Sequence, residues 1–290
     1  MRRIPMQHIG PWSTAFTAMA IAMITPNVVS GSENAKTDNL AEENLVAWCI
    51  VPFDAKHRGP AERAAMLKRL GLRRVAYDWR EEHVPTFEQE ILEYKKHGLE
   101  YFAFWDWHPD MVKLVKKHDI HPQFWLMMPN PKSGSQAEKV EAAAQGLLPK
   151  VEEAGRLGCQ IGLYNHGDWA GEPENLVAVC RWLREHEQAK HVGIVYNFHH
   201  AHDRIDDFAV AFAEVEPYLL CLNLNGMNRD AKPKILPMGQ GQFEKQMIEV
   251  VRKVGYEGPI GILDHREEID AEVSLRENLQ GLALLRAKLD

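Results

Sequence analysis

Two short polar segments follow directly after apolar runs and carry side chains that can move protons or bind metals. The first, Tyr164-Asn165-His166, follows residues 159–163, and the second, residues 196–202, follows residues 192–195. If both runs are buried parallel strands, the polar residues emerge together at the strand C-termini, where α/β folds keep their ligand sites. The pattern therefore predicts a site for a small ligand.

Histidines and an acid from three of these positions are the candidate catalytic residues. Imidazole exchanges a proton near neutral pH and is a good ligand for divalent transition metals. His166 or His200 is the predicted base beside a substrate carbonyl, and Asp264 with His265 is the predicted acid–base pair on the opposite face. The same four residues are the candidate ligands of one divalent metal. In an extended segment, His202 would point the same way as His200.

Aromatic rings and amides at the same positions are the predicted sugar contacts, since rings stack on sugar C–H faces and amides bind hydroxyls. Trp105 and Trp125 lie inside apolar runs and are expected in the core. For the other tryptophans, packing among the side chains around the strand C-termini remains an alternative to sugar binding. For the acid at position 78, an ion pair to Arg80 remains an alternative. The predicted substrate-binding residues are Asp78, Trp79, Trp107, Tyr164, Asn165, Trp169, Asn197, Asn223, Asn225 and Gln240.

Eight alternations of a short apolar run with a helix-period segment must position these residues. Gly71, Gly98 and Gly158 stand where helices are expected to end in a left-handed residue. This count predicts a single α/β domain, a (β/α)8 TIM barrel over 45–290, preceded by a polar linker at 31–44. A doubly wound sheet is disfavoured because no GxGxxG follows the first strand. The predicted strands are 46–51, 74–77, 101–105, 123–127, 160–164, 192–196, 219–224 and 260–263; the helix candidates include 61–70, 87–96, 140–157, 174–186, 205–215, 243–254 and 271–287.

The first thirty residues predict a cleaved signal peptide and therefore a periplasmic or extracellular protein. Arg2 and Arg3 precede an apolar stretch at 15–24, and Val28 and Ser30 occupy positions −3 and −1 of a cleavage site. The stretch is too short to be a stable membrane span. Its removal takes away two arginines and moves the net charge from −7 to −9, which disfavours nucleic acid as a partner. The four cysteines form no CxxC pair and are expected to be buried.

The turn at 237–242 contains two glycines and leads into a helix. It is compatible with an anion at the helix N-terminus or with a tight turn that closes the barrel. Phosphorylated sugars are disfavoured as substrates, because the end of the barrel formed by the strand C-termini offers few cations. Those cations are Lys56, Arg58, Arg80, Arg204 and Arg229.

This turn, together with Gly255-Tyr256-Glu257-Gly258 entering the last strand, resembles the xylose isomerase-like TIM barrels of the AP endonuclease family 2 superfamily. The resemblance implies a sugar isomerase, epimerase or lyase with a divalent metal. The acidic metal ligands of that family fall here at Tyr164, Asn197, and Leu263 or Asp264. The family's strand-seven histidine falls at Asn223 or Asn225, while the histidine after strand six is kept as His200. Loss of the anionic ligands disfavours hard Mg²⁺ or Mn²⁺ at the usual site.

Two interpretations of the site remain after this comparison. One is a shifted, histidine-rich site for Zn or Mn, and the other is a pocket without metal. The predicted function is an exported sugar isomerase, epimerase or lyase that acts on a neutral or keto-sugar by histidine-assisted proton transfer. The alternative is a non-catalytic carbohydrate-binding barrel. Glycoside hydrolysis by Asp78 and Asp106 is disfavoured because strands four and seven end without acids.

Overall fold

The computed structural model describes residues 38–289. The predicted signal peptide, residues 1–30, and the first part of the predicted linker lie outside the described residues. Eight parallel strands pair in sequence order and close into one barrel, since β1 also pairs with β8. The predicted single (β/α)8 barrel is therefore confirmed. The strands are β1 (Leu45–Trp48), β2 (Arg74–Tyr77), β3 (Glu100–Trp105), β4 (Gln123–Met127), β5 (Gln160–Tyr164), β6 (Val192–Asn197), β7 (Leu219–Leu224) and β8 (Ile260–Leu263).

A helix follows each strand and packs outside the barrel. Gly71, Gly98 and Gly158 all adopt positive φ values just after helices, as predicted. The fourth helix begins four residues earlier than expected, because Ser135 and Glu138 form a capping box. The helices are α1 (Pro60–Arg69), α2 (Phe87–His97), α3 (Pro109–His118), α4 (Gln136–Arg156), α5 (Pro173–His186), α6 (Phe208–Val215), α7 (Glu244–Val254) and α8 (Ala271–Arg286).

The sixth strand–helix connection differs most from expectation. Residues Phe198–His200 and His202–Arg204 form two short 3-10 turns, so α6 begins at Phe208 rather than at 205. The segment is therefore not extended, and His200 and His202 point to different surroundings. This change decides which histidine reaches the site.

The barrel interior is filled by large rings in contact with one another. The Trp48 and Trp125 ring centroids lie 4.8 Å apart, edge to face, and both rings are buried. Near β8, a Cβ at Gly261 would collide with the Asn223 amide, so glycine makes room for that side chain. Side chains therefore fill the barrel interior as far as the polar residues at the strand C-termini.

The N-terminal end of the barrel is covered by residues 38–44. Asn39 donates from Nδ2 to the Tyr256 carbonyl at 2.6 Å, and Asn44 donates to the Gly258 carbonyl at 2.8 Å. These hydrogen bonds stabilise the N-terminal end of the barrel, whereas ligand chemistry in such barrels occurs at the opposite end. Within residues 38–289, no helix combines the length and apolarity needed to cross a membrane.

Candidate active site

A cavity of about 280 Å³ opens at the C-terminal ends of the strands, the size of a small ligand. Aromatic rings form one wall: the Trp105 centroid lies 5.9 Å from that of Trp48 and 4.6 Å from that of Tyr164. The lining residues are Trp48, Cys49, Phe53, Asp78, Arg80, Trp105, Tyr164, His166, His199, His200, Lys234 and His265. The predicted residues His166, His200, His265, Asp78 and Tyr164 are thus brought together.

Four imidazoles form a connected wall of this cavity. The ring centroids of His166 and His200 are 4.5 Å apart, those of His199 and His200 are 3.7 Å apart, and those of His199 and His265 are 5.7 Å apart. The sequence interpretation did not select His199. The tight 3-10 turn of residues 198–200 places two successive histidines on the same wall.

Burial keeps these imidazoles neutral. Desolvation lowers the pKa of His200 to about 2 and that of His265 to about 4, and neighbouring imidazoles and Lys234 add to the effect at His200. Desolvation also lowers the pKa of His166, and it lowers that of His199 well below its usual value. Neutral imidazoles donate and accept one hydrogen bond each, so they suit a substrate rich in hydroxyl groups.

Among the described residues that line the cavity, Asp78 is the one carboxylate. Its Oδ1 accepts a hydrogen bond from the Val51 amide at 3.3 Å, while Oδ2 has no hydrogen-bond partner in the described chain. Burial raises the pKa of Asp78 to about 6, and Arg80 partly opposes the rise. A carboxylate with a pKa of about 6 can take a proton at neutral pH more readily than an ordinary aspartate can.

Several buried polar atoms around the cavity share this lack of a partner. Within residues 38–289, Nδ1 of His166, His199 and His265 makes no hydrogen bond, like Oδ2 of Asp78. Buried polar atoms are nearly always hydrogen-bonded in folded proteins. Four such atoms therefore belong to side chains that line this one cavity.

Two residues of the cavity adopt the left-handed backbone conformation without being glycine. Cys49, directly after β1, has φ 58°, and His265, after β8, has φ 48°. The His265 amide donates to the Cys49 carbonyl at 3.3 Å, which couples the two strand ends. Such conformations are uncommon outside glycine and cluster at functional sites. The Cys49 thiol is buried, and burial together with the Asp78 charge raises its pKa well above the usual value, so it stays protonated.

Two cations stand at the cavity, Arg80 from the end of β2 and Lys234 from the loop after β7. Both side chains are solvent-exposed. The loop that carries Lys234 is held by buried His202, whose Nδ1 lies 2.6 Å from the Asn228 carbonyl oxygen and whose Nε2 lies 3.0 Å from the Lys234 carbonyl oxygen. Lys234 lies far from any strand end in sequence, and no local pattern marked it.

Asp264, a predicted catalytic residue and metal ligand, does not line this cavity. Its side chain is fully buried, its Oδ1 accepts from the Ser274 hydroxyl, and Arg266 Nε lies 3.8 Å away. Burial raises the pKa of Asp264 to about 8. The residue therefore sits behind the rim, while its neighbour His265 reaches the cavity through its left-handed backbone.

The predicted amide contacts are occupied by one another. Asn197 donates from Nδ2 to Asn165 Oδ1 at 2.9 Å, and Asn223 donates from Nδ2 to Asn197 Oδ1 at 2.7 Å. Asn225 donates to the Gly226 carbonyl at 2.8 Å and is completely buried. None of these amides is among the described residues that line the cavity, and the first three join the ends of β5, β6 and β7.

The three tryptophans predicted to bind sugar lie outside the cavity. Trp79 stacks on Phe104 and donates from Nε1 to the Trp105 carbonyl at 2.7 Å. Trp107 packs on Phe124, and Trp169 donates from Nε1 to Gln136 at 2.9 Å. Because strand residues alternate between two faces, Asp78 enters the barrel and Trp79 turns outward.

Two interior tryptophans line the cavity instead, and both depart from expectation. Trp105 was expected in the core, and Trp48 was not selected.

Asp106, the second acid of the disfavoured hydrolase pair, is exposed and lies 3.6 Å from Lys150 Nζ, outside the cavity.

The glycine-containing turn before α7 binds an anion of the chain itself. Buried Glu244 accepts from the Gly241 amide at 2.8 Å and from the Met227 amide at 3.0 Å. A Cβ at Gly241 would collide with this carboxylate. Gln240 is exposed and lies outside the cavity. The geometry therefore matches the tight-turn interpretation of residues 237–242.

The candidate metal ligands do not make a fitting donor set. Among residues 38–289, no group of three or more His, Cys, Asp or Glu side chains is arranged to hold a metal ion. Asp264 is engaged by Ser274 behind the rim, and the family's acidic positions at Tyr164 and Asn197 carry a buried phenol and a hydrogen-bonded amide. All four cysteines are free and buried.

Comparison with known proteins supports the fold. No family model matches the sequence, and no curated protein matches it. Among solved structures, 3-keto-D-glucoside 4-epimerase from E. coli is 16% identical, with a TM-score of 0.59, covering 84% of this chain and 99% of that one. The IolI protein with a bound zinc atom is 12% identical, with a TM-score of 0.65, covering 86% and 99%.

A third similar structure is D-psicose 3-epimerase with D-tagatose from Clostridium cellulolyticum H10. It is 14% identical, with a TM-score of 0.61, and the match covers 85% of this chain and 99% of that one. The fold is therefore that of the xylose isomerase-like TIM barrels, as the sequence resemblance implied.

Proposed function

We propose that the chain is an enzyme of the sugar epimerase, isomerase or lyase type that moves a proton at the carbon beside the carbonyl of a keto-sugar. The observation that carries the proposal is Asp78, a buried carboxylate on the cavity wall whose Oδ2 is unpartnered and whose pKa lies at about 6. A base with a pKa near the working pH is the most effective one. Epimerases of keto-sugars among the fold neighbours support the reaction class.

In this proposal, Asp78 Oδ2 takes the proton from the carbon. His166 and His200 donate hydrogen bonds to the carbonyl oxygen, where negative charge develops as the proton leaves. Their low pKa values make them weak bases but keep them neutral, and a neutral imidazole can polarise a carbonyl. The histidines therefore still assist the reaction by binding the carbonyl oxygen, but the base is Asp78 rather than a histidine. The protonated Asp78 carboxyl then returns its proton to the substrate, so the step balances without a charged imidazole, and His265 contributes a neutral hydrogen-bonding group.

The direct test is hydrogen exchange. The full-length protein is incubated with keto-sugars in D₂O, and NMR follows deuterium entering beside the carbonyl. We expect Asp78→Asn to slow the exchange by about 100-fold or more, the usual contribution of a general base. Asp106→Asn is the matched control, because this acid follows the next strand but pairs with Lys150 outside the cavity. Exchange at the wild-type rate in Asp78→Asn contradicts the proposal.

The pH profile separates Asp78 from the imidazoles. A base with a pKa of about 6 loses its charge below that pH, so kcat/KM should fall about tenfold per pH unit there and stay level from pH 7 to 8. A profile that is still flat at pH 5 would instead fit the less basic His265 as the base.

The proposed reaction takes no step through a metal, because no group of three or more His, Cys, Asp or Glu side chains among residues 38–289 is arranged to hold one, and Asp264 is hydrogen-bonded to Ser274. Elemental analysis of the purified full-length protein checks this point. Stoichiometric zinc or manganese that is lost in His166→Ala would support the shifted histidine-rich site and contradict our assignment.

A non-catalytic carbohydrate-binding barrel is the second candidate. It is favoured by Asn197 and Asn223, two hydrogen-bonded amides at positions where the family resemblance implies an acidic and a histidine metal ligand. Sugar binding by calorimetry without any exchange in D₂O would support this candidate over the enzyme.

We also propose that the protein is exported, on the strength of the leader predicted at residues 1–30. N-terminal sequencing of the protein recovered from a bacterial periplasm should begin at Gly31. Recovery of the uncleaved chain in the cytoplasm alone would contradict export.

A further inference from the structure

The cations on the catalytic rim divide into paired and unpaired ones. Four of the five rim cations named from the sequence bind acids of the chain. In the part of the chain that is described, Arg80 makes no ion pair, and neither does Lys234, and these are the two cations that line the cavity. The paired ones are Lys56 with Asp270 at 2.9 Å, Arg58 with Asp54 at 2.8 Å, Arg204 with Glu172 at 3.0 Å, and Arg229 with Asp206.

The Arg80 guanidinium is held in place without using up its donors. Nη1 donates to the Trp79 carbonyl at 2.7 Å, and the guanidinium carbon lies 5.4 Å from the centroid of the Phe53 ring. Guanidinium carries five N–H donors in a planar fork that matches a carboxylate. Most of these donors therefore remain for a ligand.

Lys234 is positioned through its main chain. His202, which is 8% exposed, contacts the carbonyl oxygens of both Asn228 and Lys234 and so fixes the loop from beneath. Lys234 also lowers the pKa of His166, His200 and His265 by its positive charge. Its field therefore reaches across the imidazole wall of the cavity.

The charge balance of the cavity differs from that of the whole protein. The chain carries a net charge of −7, but its cavity is lined by two cations, neutral imidazoles and one acid, Asp78, which Arg80 does not approach closely enough to form an ion pair. A neutral sugar would leave both cations without a counter-charge. An anionic substrate would supply it.

We propose that the substrate of the reaction proposed above is a keto-sugar acid, whose carboxylate is bound by Arg80 and Lys234 while its hydroxyls meet the imidazole wall. This inference rests on the proposed function and names its substrate class. A carboxylate fits better than a phosphate, because the Gly241 amide of the turn before α7, which would help to cradle a phosphate, already binds Glu244, and no residue of that turn is among the described residues that line the cavity.

The test uses three ligands that differ only at C6. The full-length protein is titrated by calorimetry with D-fructose, D-fructuronate and D-fructose 6-phosphate. We expect D-fructuronate to bind at least about tenfold more tightly than D-fructose, the usual effect of a charge-assisted hydrogen bond. This preference should weaken as NaCl is raised.

Variants assign the preference to the two cations. In Arg80→Met and Lys234→Met, the ratio of the two dissociation constants should fall towards one. Lys232→Met is the matched control, since Lys232 lies in the same loop, is exposed and does not line the cavity. It should keep the wild-type ratio.

The possible outcomes distinguish a failure of this inference from a failure of the proposed function on which it rests. Equal binding of D-fructose and D-fructuronate, with exchange in D₂O retained, overturns the sugar acid and leaves the proposed function standing. Tightest binding of D-fructose 6-phosphate also overturns the carboxylate. If no keto-sugar binds or exchanges, the proposed function fails, and the inference fails with it.

Discussion

The buried carboxyl of Asp264 should make the stability of the barrel depend on pH. The side chain is fully buried, and burial raises its pKa from 3.8 to about 8. Between these values the folded chain holds a proton that the unfolded chain has lost, so the folded state loses stability as pH rises. The contribution is fully present below pH 3.8 and is lost once the pH passes about 8.

The size of the effect follows from the two pKa values. Each pH unit between them costs about 1.4 kcal/mol, so the whole interval costs on the order of 6 kcal/mol. Asp264→Asn removes this titration. We therefore expect the stability of the variant relative to the wild type to rise by about 1.4 kcal/mol per pH unit from pH 4 to 8, and then to level off.

Urea unfolding followed by tryptophan fluorescence measures this difference at several pH values. An asparagine changes the hydrogen bonds with Ser274 by an amount that does not vary with pH, so the slope isolates the charge. Ser274→Ala is the control, because it disturbs the same contact but keeps the carboxyl, and its slope should match that of the wild type. A constant difference between Asp264→Asn and the wild type from pH 5 to 8 would refute the reasoning.

Three further substitutions probe the framework of the site, each measured by urea unfolding at pH 7. Asn197→Asp replaces the donor to Asn165 by a buried charge and should cost about 2 to 4 kcal/mol; stability equal to the wild type would contradict the amide chain. Gly241→Ala drives a Cβ into the carboxylate that anchors the turn before α7 and should cost about 1 to 3 kcal/mol, whereas Gly59→Ala, with open space around it, should cost less. Glu90→Gln leaves the buried Arg63 without its counter-charge and should cost about 3 to 5 kcal/mol; restoration of stability by a second change, Arg63→Met, would support this cause.

The fold could be predicted because its signals are local and repeated. Apolar runs of strand length, glycines after helices and the eightfold alternation determine the barrel, and five of the eight predicted strands match the observed bounds. The departures have local causes as well. The capping box at Ser135 extends α4, and the 3-10 turns after β6 delay α6.

The site could be predicted only in part, because a shift of one residue along a strand changes the face of the sheet on which a side chain lies. His166, His200, His265, Asp78 and Tyr164 meet at the cavity. Some of their neighbours, such as Trp79 and Asp264, turn away or lie deeper, whereas His199, next to His200, reaches the cavity through the 3-10 turn.

The residues that the sequence did not mark have non-local or backbone causes. Cys49 reaches the cavity through a left-handed backbone, and Lys234 reaches it through a loop held by His202. Trp48 resembles any core aromatic in sequence. Neither a conformation with positive φ nor a long-range loop contact leaves a pattern in the sequence that would have identified these positions.

Glu244, whose carboxylate is bound within the turn before α7, affects whether that turn can bind a phosphate. Barrels of this type often hold a substrate phosphate with the loops after strands seven and eight. Here the Glu244 carboxylate accepts from the Gly241 amide of the turn before α7, as a tethered anion whose effective concentration is on the order of millimolar or more. A phosphate bound at this turn would have to displace that carboxylate, so the turn can disfavour phosphate esters without any repulsive residue.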